Sequence, residues 1–239
     1  MSIQKKSNKS YENLTKSKKA LPTEKAGRYK WHQGKEIIIF NDIKKKLIFK
    51  TNDNFLDIGC GCGPLTDLLV NYCQKNNINV TLCDIPPIID LLKKKFKRFK
   101  NIEYIDQEFQ KIKIINKFDK ILCYSVIQCV DSPLNFTKKI ISLINEKGKV
   151  LIGDIPNINK KFRFLQSEFG SKYEKNNFSN KITFKQFKKI TKQNKKIDDD
   201  YILKVLLYCR KLNKSSNVIK QNQNLPFSYT REDILVEEF

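Results

Sequence analysis

The segment that most constrains the fold of this chain is a short run of small residues, Asp57-Ile-Gly-Cys-Gly-Cys-Gly-Pro64. Residues 54–59 have the length and apolar content of a buried strand, and residues 64–76 have the spacing of a helix that begins with a proline. Glycines between a strand and a helix let the backbone turn tightly and approach a ligand without interference from a Cβ atom. The segment therefore predicts a ligand-binding loop at the carboxyl end of a strand.

Strand and helix patterns continue to alternate after this loop. Strand patterns occupy residues 79–84, 102–106, 119–126 and 149–156, and helical patterns occupy residues 87–99 and 133–148. Such alternation predicts a parallel sheet with helices on both faces. Further along, residues 198–212 predict a helix, and residues 217–221 and 232–238 predict two strands. We expect an α/β fold with a doubly wound, mostly parallel sheet that ends in an antiparallel strand pair.

The chain divides into three parts by composition. Residues 1–20 are rich in Lys, Ser and Asn and predict a flexible basic tail. Residues 21–50 contain an amphipathic helix at 34–49, which we expect to form an N-terminal cap. Residues 51–239 form the main domain, and an insertion at about 157–197 interrupts its regular pattern.

The net charge of +22 permits an acidic partner but does not require one. Only five of the 47 basic residues are Arg, and Lys, Asn and Ile are all abundant, which indicates AT-rich codon usage. Arg is the residue that recognises phosphate through a bidentate fork, so its scarcity weakens a nucleic-acid interpretation. A small anionic substrate is compatible with the charge.

The numbers and spacing of cysteine and histidine residues indicate the redox state of the compartment and argue against a metal site. The chain has seven Cys, none in a C-x-x-C pair, and one His, so we expect buried thiols in a reducing compartment and no metal site. No apolar run is long enough for a membrane helix, and no apolar run follows the Lys-rich N-terminus as it would in a signal peptide. These observations predict a cytoplasmic protein without a membrane span.

The glycine loop differs from the loop that binds dinucleotides. Its spacing is G-x-G-x-G with Pro64 at the helix start, and Asp57 precedes the first glycine. A carboxylate there would repel a pyrophosphate but suits the positively charged amino-acid end of S-adenosylmethionine. On these residues the chain resembles the class I S-adenosylmethionine-dependent methyltransferases, whose first motif runs D-x-G-x-G-x-G, and especially bacterial small-molecule and sugar methyltransferases. The resemblance covers roughly residues 50–156 and implies a Rossmann-like fold with S-adenosylmethionine as cofactor.

The resemblance also implies roles for residues at successive strand ends. Gly59, Gly61 and Gly63, with Asp57, would lie beside the methionine portion. Asp84 would bind both ribose hydroxyls, since one carboxylate can accept two hydrogen bonds. The remaining positions are Ile85 against adenine, Asp106 and Gln107 near its amino group, and Ser125 near the centre of the cofactor. Trp31 and Tyr29 are candidates to cover the cofactor with aromatic rings.

A hydroxyl acceptor would also need a base within hydrogen-bond reach. Asp154 at the end of the fifth predicted strand and His32, the sole histidine, are the catalytic candidates, and Glu168 is a weaker third. Gln128 stands where many of the resembling enzymes carry His, and an amide cannot act as a base, which argues against a mechanism that needs that His.

Three functions stay open at this point. The first is methylation of a small polar acceptor on oxygen, a sugar or glycan precursor, because residues 160–173 mix aromatic and basic side chains. The second is RNA methylation, which the basic tail would suit but which lacks support from an N-P-P-Y-type tetrapeptide. The third is a catalytically silent Rossmann-like scaffold, which the complete set of glycines with Asp84 and Asp106 disfavours.

Overall fold

The computed structural model describes residues 2–17, 19–25, 33–177, 197–225 and 227–238. Its strands are β1 (Asn54–Ile58), β2 (Asn79–Cys83), β3 (Ile102–Ile105), β4 (Phe118–Tyr124), β5 (Ile144–Pro156), β6 (Ser215–Ile219) and β7 (Arg231–Glu237). They form one seven-stranded sheet in the order β3-β2-β1-β4-β5-β7-β6. The first five strands are parallel, and β7 runs antiparallel to both β5 and β6. This confirms the doubly wound, mostly parallel sheet with its antiparallel C-terminal pair.

Helices cover both faces of the sheet. They are α1 (Ile3–Lys16), α2 (Pro22–Lys25), α3 (Glu36–Leu47), α4 (Pro64–Lys75), α5 (Pro86–Lys95), α6 (Pro133–Ile141), α7 (Ile158–Gln166), α8 (Glu168–Asn177) and α9 (Asp199–Lys211). Helices α3, α4 and α5 pack on one face, and α6 and α9 pack on the other. Successive residues of β1 alternate between the two cores, with Phe55 in one and Leu56 in the other, as the pleat of a strand requires.

The expected flexible tail at residues 1–20 is wrong for most of its length, because the structure places α1 there. The side chain of Ser2 caps the first turn of this helix. The backbone N–H groups of Ile3 and Gln4 donate to one carboxylate oxygen of Asp131, at 2.9 and 3.3 Å. These contacts join residues far apart in the chain, so a composition-based prediction of disorder could not include them.

Two predicted helices end earlier than expected. The helix predicted at 133–148 ends at Ile141, and β5 begins at Ile144, which pairs with Phe118. The apolar run at 140–144 fits both periods, and the sheet partner decides between them. The helix predicted at 87–99 ends at Lys95.

The N-terminal cap and the insertion are described in part. Helix α3 forms where the sequence predicts a helix. The insertion at about 157–197 begins with α7 and α8, while residues 178–196 lie outside the described part of the chain.

Candidate active site

The glycine loop and the carboxyl ends of β1, β2 and β4 surround one cavity. Gly59 and Gly61 have φ angles of 67° and 64°, in the left-handed region that glycine tolerates. A Cβ atom on Gly59 would lie 2.5 Å from a methyl carbon of Val126, whereas one on Gly61 would meet no atom within 4 Å. Gly63 is extended and serves as the N-cap of α4. The loop therefore combines a tight turn at Gly59 with open space above Gly61.

Asp84 connects the end of β2 to the glycine loop. One of its carboxylate oxygens accepts from the N–H of Gly61 at 2.8 Å, and the other accepts from the N–H of Ile85 at 2.7 Å. Burial raises the pKa of Asp84 to about 6, and the two N–H donors act in the opposite direction. Each oxygen keeps a second lone pair, so the carboxylate can still accept from two hydroxyl groups of a ligand.

The cavity wall is acidic although the chain is strongly basic. The charged residues that line it in the described part of the chain are Glu36, Asp57, Asp84 and Glu108, and no Lys or Arg is among them. Burial, and to a lesser extent the charge of Asp84, raise the pKa of Asp57 to about 8. A ligand with a positive charge would offset both effects.

The cavity brings together most of the predicted cofactor residues. Its lining includes Asp57, Gly59, Gly61, Gly63, Asp84, Ile85, Gln107 and Ser125. Asp106 does not line it, because β3 ends at Ile105 and the Asp106 carboxylate turns to the surface, 3.2 Å from the ammonium of Lys93. Trp31, Tyr29 and His32 lie outside the described residues.

Helix α1 lies over this cavity and was missed at the level of sequence. Gln4, Ser7, Asn8 and Tyr11 line the cavity from one face of the helix. The amide of Asn8 donates to a carboxylate oxygen of Glu108 at 3.0 Å. The four residues have i, i+3, i+4, i+7 spacing, but the face is polar, so an analysis of apolar periodicity does not find it.

A second pair of side chains marks the edge of the cavity at β4 and β5. Ser125 follows β4 and Asp154 lies near the end of β5, and the Ser125 hydroxyl donates to the Asp154 carboxylate. Ser125 lines the cavity, and Asp154 lies one hydrogen bond behind it. Arg231 is 3.8 Å from the Asp154 carboxylate and donates to the Asp154 carbonyl oxygen at 3.0 Å. Two strand ends thus present a hydroxyl backed by a carboxylate.

The other candidates do not contribute to the cavity wall. Glu168 begins α8 with its side chain 83% exposed and pairs with Lys172. Gln128 lies just behind the wall, where its amide donates to the carbonyl oxygen of Ser125 at 2.7 Å.

The described residues hold no group of His, Cys, Asp and Glu side chains that could ligate a metal ion. Within the same residues, no helix has the length and apolar content needed to cross a membrane. The seven cysteines are free thiols, and Cys60, Cys83 and Cys129 line the cavity.

Comparison with known proteins gives this geometry a family. Residues 49–222 match a methyltransferase domain family. Over 154 residues the chain is 30% identical to ribosomal RNA small subunit methyltransferase A of Borreliella afzelii, covering 59% of this chain and 53% of that protein. Over 115 residues it is 26% identical to the malonyl-[acyl-carrier protein] O-methyltransferase of Haemophilus ducreyi, covering 46% and 43%. The chain thus spans about half the length of the curated relatives it matches.

Solved structures show the same fold. The N-methyltransferase NodS from Bradyrhizobium japonicum, in complex with S-adenosyl-L-homocysteine, has a TM-score of 0.59 at 11% identity, covering 96% of this chain and 95% of that one. The plantazolicin methyltransferase BpumL, also in complex with S-adenosyl-L-homocysteine, has a TM-score of 0.59 at 13% identity and covers 99% of both chains. The family match shows that the chain belongs to the S-adenosylmethionine-dependent methyltransferases, and the solved structures show that it has their class I, Rossmann-like fold.

Proposed function

We propose that this enzyme methylates a small polar acceptor on oxygen, a sugar or glycan precursor, and that Asp154 acts as the base. The observation that carries the proposal is the Ser125–Asp154 hydrogen bond at the cavity wall. S-adenosylmethionine supplies a methyl group that is already activated on a sulfonium. The protein must therefore hold the acceptor in line and receive its proton.

The residues present fit the cofactor. The cavity offers left-handed glycines, a carboxylate with free lone pairs at Asp84 and an acidic wall around Asp57. On our proposal Asp57 and the loop glycines hold the amino-acid end, Asp84 holds the ribose, and Ile85 with Gln107 borders the adenine. Asp106 can contact the adenine amino group only after its ion pair with Lys93 breaks.

The acceptor side offers a carboxylate close to the reacting position. A hydroxyl that approaches Ser125 can give its proton to the Ser125 oxygen while the Ser125 hydroxyl passes its own proton to Asp154, as the new bond from oxygen to carbon forms. The products are then a methyl ether and S-adenosylhomocysteine, with the proton on Asp154. His32, outside the described residues, stays a second candidate base.

An aromatic cluster supports a ring-shaped acceptor. Phe164 and Tyr229 stack with centroids 5.4 Å apart, and Phe169 and Tyr173 each contact both rings edge-on. The side chain of Phe169 is half exposed, and Tyr229 lies two residues before Arg231, which contacts Asp154. Aromatic rings of this kind present an apolar face on which a sugar ring can pack.

An anionic acceptor receives less support than a neutral one. Two cations near this cluster, Lys160 and Arg231, each lie 3.8 Å from a carboxylate, that of Glu232 and that of Asp154 respectively. Methylation of a glycan precursor would take place in the cytoplasm, the compartment that the sequence predicts.

RNA methylation is the second candidate, because a relative that is 30% identical over 154 residues is a ribosomal RNA methyltransferase. Lys5, Lys6 and Lys9 are exposed on α1 and provide positive charge near the cavity. RNA binding through these residues would weaken when all three are changed to Ala.

The test is transfer of a labelled methyl group to sugars, nucleotide sugars and ribosomal RNA. We expect label in a hydroxyl-bearing sugar, and a fall of about 10²-fold in turnover for Asp154→Asn. Glu168→Gln is the matched control, since it changes an exposed carboxylate outside the cavity. Label that enters only RNA would overturn the sugar assignment. Binding of S-adenosylhomocysteine without transfer to any acceptor would favour the silent scaffold.

A further inference from the structure

Two neighbouring strands reach the cavity in a strained backbone conformation. Ser125 and Asp154 have φ angles of 60° and 58°, in the left-handed region that residues with a Cβ atom rarely adopt. Such conformations persist only where the surroundings hold them. Since the side chains of these two residues bond to each other, their geometry depends on whatever fixes the two backbones.

The backbone of Asp154 is held by a side chain from β7. The pairing of β5 with β7 shifts register between Ile152 and Ile155, and Asp154 lies in this irregularity. Its N–H donates to the carboxylate of Asp233 at 2.8 Å. The same oxygen accepts from the Gln221 amide at 2.9 Å. The Asp233 side chain thus replaces a backbone partner that the irregular ladder lacks.

Asp233 is unusual because it is completely buried. Its second carboxylate oxygen accepts from the ammonium of Lys46 in α3 at 2.7 Å. Lys46 also pairs with Asp42 one turn earlier in the same helix. Lys46 and Gln221 therefore hold the Asp233 carboxylate in the position where it accepts from the Asp154 amide.

Ser125 is held in a similar way from the other side. The Gln128 amide donates to its carbonyl oxygen at 2.7 Å. The side-chain oxygen of Gln128 is buried and has no partner among the described residues. Each strained residue therefore has a polar side chain bonded to its backbone, and Asp154 has a second one, because Arg231 donates to its carbonyl oxygen.

We propose that Asp233 is a positioning residue for the acceptor side: by binding the Asp154 amide it fixes the left-handed bend from which the Asp154 carboxylate reaches Ser125. The proposal rests on the proposed function, in which Asp154 receives the proton. It assigns no contact between Asp233 and the substrate. The ammonium of Lys46 donates to one oxygen of this buried carboxylate, and the Gln221 amide donates to the other, so both oxygens are held in place.

The experiment compares crystal structures of wild type, Asp233→Leu and Asp233→Asn with S-adenosylhomocysteine, together with calorimetric titrations. Leu has a similar size but cannot accept a hydrogen bond, so Asp154 should leave the left-handed region and lose its bond to Ser125. Asn keeps an acceptor oxygen and should restore both features. The dissociation constant of S-adenosylhomocysteine should change by less than about twofold in either variant, because Asp233 does not line the cavity.

Asp53→Leu is the matched control for burial. Asp53 is also a buried carboxylate, 3.8 Å from Lys120, but it precedes β1 at the opposite end of the sheet. This variant should lose stability and leave the Ser125–Asp154 bond intact. If Asp233→Leu fails to fold because Lys46 loses its buried partner, the double variant Asp233→Leu/Lys46→Met removes the cation as well and is read in the same way.

The outcomes separate the positioning role from the proposed function. An unchanged Asp154 backbone in the Leu variant overturns the positioning role, whatever the activity. A displaced Asp154 in the Leu variant, with full turnover in Asp154→Asn, supports positioning but contradicts Asp154 as the base. Where an acceptor is known, Asp233→Leu should lower turnover by about 10²-fold and Asp233→Asn should recover most of it.

Discussion

The two walls of the cavity are built from contacts of very different range. The wall that we propose for cofactor binding, the cofactor wall, consists of the loop at 57–64 and Asp84. Asp84 bonds to Gly61, which is 23 residues away in the chain. The wall that we propose for the acceptor, the acceptor wall, consists of Ser125 and Asp154 with the side chains that hold their backbones. Its hydrogen bonds join Ser125 to Asp154, Asp154 to Asp233 and Asp233 to Lys46, over 29, 79 and 187 residues of chain. On the proposed function, cofactor binding therefore depends on one local motif, whereas acceptor chemistry depends on the assembled sheet.

The buried carboxylates associated with the two walls also differ, because a cation lies beside one of them and not beside the other. Burial raises the pKa of both Asp57 and Asp233, but Lys46 counteracts the rise at Asp233. Among the described residues, no cation counteracts the rise at Asp57. A carboxylate with a built-in cation is suited to hold structure, and one without is suited to receive a positively charged ligand.

The largest expected effect concerns Asp57 and is measured as a change in the free energy of unfolding with pH. Because the pKa of Asp57 rises from 3.8 to about 8 on folding, the protonated form stabilises the fold. This stability is fully present below pH 4 and is lost as the pH rises to about 8, by up to ~1.4 kcal/mol per pH unit. Asp57→Asn should remove this slope, as measured by urea unfolding across the window. Wild-type and variant curves that run parallel would contradict the assignment.

The next effect tests the cofactor wall directly. Asp84→Ala removes an acceptor for two ligand hydroxyls and also frees the Gly61 amide, so affinity for S-adenosylhomocysteine should fall about 100-fold. Calorimetric titration measures this loss. Asp106→Ala is the control, and we expect little change because Asp106 is partly exposed and outside the cavity lining. Equal losses in the two variants would mean that Asp106 also binds the cofactor.

A smaller effect separates the two roles of the loop glycines. Gly59→Ala should destabilise the fold by roughly 1–3 kcal/mol, because Gly59 is left-handed and faces Val126 closely. Adding Val126→Ala should recover only the part due to the close contact. Gly63→Ala should be tolerated, since Gly63 is extended. Chemical denaturation of the three variants checks the order, and full recovery in the double variant would show that backbone strain contributes nothing.

Loss of the hydrogen bond between helix α1, which covers the cavity, and Glu108 should have a modest effect on ligand dissociation. Asn8→Ala removes one hydrogen bond from α1 to Glu108, worth about 1 kcal/mol, so dissociation of S-adenosylhomocysteine should accelerate about fivefold. Stopped-flow fluorescence measures this rate. Asn13→Ala, on the exposed face of α1, is the matched control. Identical rates in wild type and Asn8→Ala would show that α1 does not retain the ligand.

The smallest effect is expected at Glu168. Its pair with Lys172 is exposed and contributes about 0–1 kcal/mol, so Glu168→Gln should leave methyl transfer and cofactor affinity unchanged. A marked loss of turnover, measured with the labelled cofactor, would move Glu168 to the acceptor wall.

The difference in contact range explains how far sequence reasoning reached. The glycine loop and Asp84 could be identified because their spacing reflects a local strand–loop–helix geometry. The Asp106 assignment followed the same logic, but the side chain turns outward after the short strand β3. The polar face of α1 was missed, because its residues contact a cavity that only the folded chain creates.

By itself, the sequence determined the alternating α/β fold, the glycine loop and the carboxylates of Asp57 near the end of β1 and Asp84 directly after β2. It could do so because hydrophobic period and glycine placement are local properties of the chain. Only the tertiary structure decided that α1 covers the cavity and that Asp154 bends toward Ser125 on the carboxylate of Asp233. Those features depend on side chains that meet across the sheet, and the register of β7 against β5 is fixed only when the core packs.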